Sequence, residues 1–287
     1  MNLIGIILAI GPALAPTIGG LMLPLFGWRS IFLLMTLFGV GLIAVVIFGL
    51  KETVVADRSR LNFAVLGRTY KMLLTNRHFL TAALVMGGAL GAVYAQATFL
   101  PFILMNEVGL SSSQFGVAML AQSGSFFAAS LLCRKLMVKH GANRLVGPGL
   151  FFVAVGSIGS STLLIWPASF LHVMIPVGIY SFGIAFVMPA MSTAALAPFG
   201  RTAGAAASML GFIQMGSGLL MGTLGALMGN AVVAMGVLIP IMGIMACIAF
   251  AVYRRLGPVA ATPVPAETRG QCGPMVSKAA PCAAPDK

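Results

Sequence analysis

Charge is what this chain has least of. Asp, Glu, Lys and Arg together make up 8% of its 287 residues, and only five of these are acidic. A soluble globular domain carries about 25% charged residues, because its surface faces water. With 59% hydrophobic residues and a mean hydropathy of +1.03, this chain must let lipid solvate much of its surface. No run shows the ten-residue alternation of a membrane β-barrel. Helices remain, since each pairs its own backbone groups in lipid. Cys133 and Cys247 fall in apolar runs, and Cys272 and Cys282 in a low-complexity tail, without metal-ligand or disulfide-framework spacing. Walker sequences, phosphate loops and catalytic-triad spacings are missing too, so no enzyme, cofactor or metal site is expected.

What is present is a series of apolar runs of about 20 residues, the length that crosses a ~30 Å hydrocarbon core as a helix. Eight spans are predicted: 2–26, 30–50, 79–105, 114–136, 145–166, 172–195, 204–229 and 231–253. The first lacks a basic leader and carries prolines and glycines in its middle, unlike a signal peptide. The net charge of +12 does not point to nucleic acid, because the basic residues sit between the spans. Lys51, Arg58, Arg60, Arg68, Lys71 and Arg77 follow span two, Arg134 to Arg144 follow span four, and Arg254 and Arg255 follow span eight. The alternate loops are nearly empty of charge, which places both termini in the cytoplasm. Within the long basic loop, Leu61, Val65, Leu66 and Leu73 recur at helical spacing and predict a short surface helix. The tail from Gly257, rich in proline and poor in apolar bulk, is expected to be disordered.

Small residues form stripes on several spans. In the first, Gly11, Ala15 and Gly19 make one i, i+4 row, and Pro12, Pro16 and Gly20 the adjacent one. Such rows let helix backbones approach closely, and the prolines permit bending. Gln96 continues the row of Gly88 and Ala92, Gln122 neighbours the row of Ala121, Ser125 and Ala129, and Gln214 sits among Gly211, Gly218, Gly222 and Gly225. An amide facing lipid costs several kcal/mol, so all three are expected to point into protein and to converge on one interior. Tyr94 and Tyr180 are candidates for the same lining. Each glutamine alone also fits a plain interhelical hydrogen bond; together they predict an apolar cavity with a few amides and aromatic faces, suited to bulky amphiphilic compounds. Met86, Met119, Met188 and Met215 could add adaptable contacts there or serve packing alone. No acidic residue lies within a predicted span interior.

The run Gly11-Pro12-Ala13-Leu14-Ala15-Pro16-Thr17-Ile18-Gly19-Gly20, followed by Gly27-Trp28-Arg29, resembles the antiporter motif in the fifth helix of major facilitator drug exporters, with Ala15 where glycine is usual. Pro101-Phe102, Gly109-Leu110-Ser111 and the stretch from Gly204 to Gln214 resemble the bicyclomycin/chloramphenicol-resistance (Bcr/CflA) branch. The resemblance implies an all-α, partial major facilitator fold. Residues 1–50 would be the last two helices of the N-terminal half, 51–78 the cytoplasmic linker, 79–255 the complete C-terminal six-helix half, and 256–287 a cytoplasmic tail. The first four helices, with the family's proton-coupling acidic residues, would be missing. It further implies a multi-pass protein of the inner membrane that exports drug-like molecules against protons. Two alternatives stay open: a fragment that inserts and transports nothing, and a subunit that needs a partner chain.

Overall fold

Four helices begin where a short polar side chain takes up the first free N–H groups. Asn76, Ser111, Ser169 and Asn230 each accept a backbone N–H from the first turn, and Ser111 and Gln114 complete a reciprocal capping box. The computed structural model describes residues 18–49 and 63–257. Among the described residues every regular element is helical, and no strand occurs.

Residues 18–26 are helical and form the end of the first predicted span; the remainder of that span lies outside the described residues, as do residues 50–62 and the proline-rich tail. Gly27, with φ near +73°, then lets the chain turn into α1 (Trp28–Gly49). Ser30 Oγ donates to Gly27 O at 2.6 Å and holds the turn. After α2 (Phe63–Thr75) come α3 (Arg77–Phe102), α4 (Ser112–His140), α5 (Ala142–Ser161), α6 (Phe170–Leu196), α7 (Ala203–Leu227) and α8 (Ala231–Arg255). All but α2 are long and apolar enough to cross a membrane, seven in number among the described residues. α3, α4 and α6 each start two residues before the predicted apolar boundary, because their caps lie outside the apolar run. α3 ends at Phe102 and relaxes into a π-turn, Ile103–Glu107, just after Pro101. The sequence reading treats this stretch as continuous helix, whereas proline has no N–H to offer the regular ladder. Gly141, with φ near +78°, joins α4 to α5 through a single residue.

Helices α3 to α8 pack as one bundle, with α3 against α6, α7 and α8. Glycines bring the backbones together. A Cβ at Gly156 on α5 would stand 2.7 Å from the Tyr180 backbone N on α6, and one at Gly183 on α6 would stand 2.6 Å from Gly149 O. One at Gly88 on α3 would stand 2.8 Å from Met242 O on α8. Without a hydrophobic drive between helices in lipid, such close approach and its dispersion contacts are what hold the bundle. α1, by contrast, has no buried residue.

Candidate functional site

One close seam of the bundle runs between α3 and α7. Gly87 faces Ile213 and Ser217, Gly91 faces Ser217 and the Gln214 carbonyl, and Gly218 faces the Tyr94 Cβ and the Gly91 carbonyl. Gly222 then meets Thr98, and Gly225 meets the Phe99 ring. The glycines of α7 recur every three or four residues, so each turn of that helix receives one side chain of α3. Ser217 Oγ lies 2.8 Å from both Gly87 O and Gln214 O and ties the two helices. Sequence reasoning missed Ser217; its place directly before Gly218 in the glycine stripe was the available signal. Tyr94 and Gln214 thus meet on one seam, Tyr94 with 37% of its surface exposed and Gln214 half-buried.

The other candidates lie elsewhere. Gln96 is fully buried inside the bundle, and neither its Oε1 nor its Nε2 has a hydrogen-bond partner among the described residues. It points into protein, as expected from its small row, but not onto an open surface. Tyr180 is also fully buried, its hydroxyl donating to Ala89 O at 3.0 Å and Gly88 O at 3.3 Å. That bond ties α6 to α3, which makes Tyr180 a packing residue in this arrangement. Gln122 is half-buried on α4, one turn before Ser125, whose Oγ donates to Gly178 O on α6 at 2.7 Å. The five side chains therefore divide among a seam, a core and a second seam, and do not share one face. Of the methionines, Met86 and Met119 are buried, Met188 is half-buried and Met215 is exposed beside Gln214.

The glycine-rich motif of the first span contributes two described residues. A Cβ at Gly20 would stand 2.8 Å from Ser112 O and 2.9 Å from Gly116 Cα, so the chain at Gly20 lies backbone to backbone against the start of α4. Gly19 has no such neighbour. Gly11, Pro12, Ala15 and Pro16 lie outside the described residues.

The model of the Major Facilitator Superfamily matches residues 1–226. The chain belongs to that superfamily. This major facilitator protein is similar to the multidrug transporter MdfA of Escherichia coli O6:H1, 26% identical over 211 residues, covering 72% of this chain and 50% of that protein. MdfA of Edwardsiella ictaluri is 25% identical over 207 residues, with the same two shares. The chain spans about half the length of the curated relatives it matches. Among solved structures, the fucose:proton symporter FucP of Escherichia coli superposes with a TM-score of 0.55 at 15% identity, covering 83% of this chain and 58% of that one. That likeness shows the fold: a multi-pass helical membrane protein of the major facilitator type.

Proposed function

We propose that this chain carries the final eight helices of a drug:proton antiporter of the Bcr/CflA type in the bacterial inner membrane, both termini cytoplasmic. On this reading residues 18–49 end the N-terminal half, and α3 to α8 are the C-terminal half. The first four helices, with the acidic residues that couple to protons, belong to a part that precedes them. The observation that carries the reading is the backbone contact of Gly20 with Ser112 and Gly116. That contact puts Gly20 of the antiporter-like motif against α4, where on this reading a rocking joint between halves needs close, smooth packing. Similarity to multidrug transporters supports the substrate class.

Substrate meets the seam of α3 and α7 through Tyr94, Gln214 and Met215, with Gln122 as a separate contact on α4. Tyrosine offers an aromatic face, the amides orient polar groups, and methionine adapts to varied shapes. Gln96 and Tyr180 lie behind that surface and reach substrate only if the helices part.

The experiment is efflux of a fluorescent cationic dye from cells that express this chain alone or with the first four helices of a related exporter as a separate polypeptide. Efflux that needs both pieces, and falls with Gln214→Ala at unchanged abundance, is the expected result. Efflux from neither preparation sinks the reading in favour of a non-transporting membrane protein. Orientation is checked in a cysteine-less background: single cysteines at Arg60 and Arg255 label from the cytoplasmic side, and one at Ser112 labels from outside.

A further inference from the structure

Helix α2 keeps one face covered by protein and leaves the other bare. Leu73 is fully buried, and the Tyr70 hydroxyl lies 3.4 Å from Ser208 Oγ on α7. These contacts hold α2 against α3 and α7. Arg68, Lys71 and Thr75, at i, i+3 and i+7, are exposed together on the outer face. Beside them Met72 and Leu74 are 45% and 47% exposed. Arg77, also exposed, follows across the Asn76 cap.

Two large apolar side chains among cations match neither bulk water nor a protein interior. They match the boundary of a bilayer, where apolar tips reach the acyl region and cations meet phosphates. The charge distribution selects among lipids. Every lysine and arginine described on α2 to α8 lies at this end of the bundle. The sole acidic residue among the described residues, Glu107, lies at the opposite end. No described carboxylate therefore neutralises these cations. A zwitterionic headgroup brings its own positive charge to the phosphate, while an anionic headgroup leaves the phosphate free to attract Arg68 and Lys71.

We propose that the outer face of α2, with Arg68, Lys71 and the flanking Met72 and Leu74, docks on anionic phospholipids of the leaflet at that end of the bundle. The lipid is held by headgroup charge and by partial insertion of the two apolar side chains. The proposal is independent of what the protein transports.

The test is native mass spectrometry of the purified full chain in detergent, titrated with phosphatidylglycerol or phosphatidylcholine of identical acyl chains. The unmodified chain is expected to prefer phosphatidylglycerol. Each cation near an anionic lipid surface favours binding about fivefold, so R68Q/K71Q is expected to weaken phosphatidylglycerol binding about 25-fold. R134Q/K135Q removes the same charge from exposed positions on α4 and is expected to leave that binding unchanged. M72S/L74S keeps the charge and is expected to weaken both lipids. Equal binding of the two lipids by the unmodified chain overturns the proposal. So does equal loss in the two charge variants, which would mark diffuse attraction, or displacement of the lipid by glycerol phosphate, which would mark a site for free anions.

Discussion

Gln96 presents both amide atoms to a packed interior without a partner among the described residues. An unsatisfied buried polar group costs about 1–3 kcal/mol. Methionine is of similar length and carries no such demand, so Gln96→Met is expected to raise stability by about 1 kcal/mol or more. Thermal unfolding of the purified chain in detergent reads this directly, and a fall in stability would mean that the amide is satisfied within the bundle. Tyr180 is the opposite case, since its hydroxyl has acceptors on another helix. Tyr180→Phe keeps the ring and removes the bond, and is expected to cost about 0.6 kcal/mol, the average for interhelical hydrogen bonds in a membrane protein, and at most about 1.7 kcal/mol. Stability unchanged by that substitution would show that the hydroxyl contributes no net energy.

The helix pairs differ in how much space their glycines leave. Gly183 on α6 has Gly149 O and Val153 N at 2.6 and 2.7 Å from the place a Cβ would occupy, both backbone atoms. Gly183→Ala therefore forces α5 and α6 apart and is expected to destabilise the bundle by about 1–3 kcal/mol. Gly124, inside α4, has nothing within 4 Å of the same position. There alanine gains helix propensity, and Gly124→Ala is expected to be neutral or stabilising by up to about 1 kcal/mol. Equal effects at the two sites, in the same unfolding measurement, would show that close approach of α5 and α6 is not what holds them.

For the whole molecule the distribution of acidic residues sets the expectation. Glu52, Asp57, Glu267 and Asp286 lie outside the predicted spans, and Glu107 stands at the very end of the helical stretch Arg77–Glu107. Antiport links substrate affinity to protonation of a group within the membrane, and alternating access rocks two halves about a midplane site. This chain, purified and reconstituted in liposomes under a proton gradient, is thus expected to show no gradient-driven uptake of dye. Uptake that survives purification to one component and vanishes with Gln214→Ala would reverse that expectation. The α3–α7 seam, whose partners lie in the other half on the proposed reading, would then be complete as it stands.

Seven of the eight predicted spans appear as helices long enough to cross a membrane, and part of the eighth as residues 18–26. Their existence was legible because a run of about 20 apolar residues has one stable form in lipid, whatever surrounds it. The small-residue rows were legible for a related reason: at 3.6 residues per turn, Gly87 and Gly91, or Gly218, Gly222 and Gly225, must fall on one side of their helix. Which helix each row meets was not legible, because spacing along one helix says nothing about the neighbour it packs against. The three glutamines show the limit. Each lies near a small row, yet Gln96 is sealed in the core while Gln122 and Gln214 stand half-buried on separate seams. The sequence by itself determined the helices, their order and the faces able to pack closely. Only the tertiary structure decided which faces meet, since close packing depends on the shapes of two surfaces together.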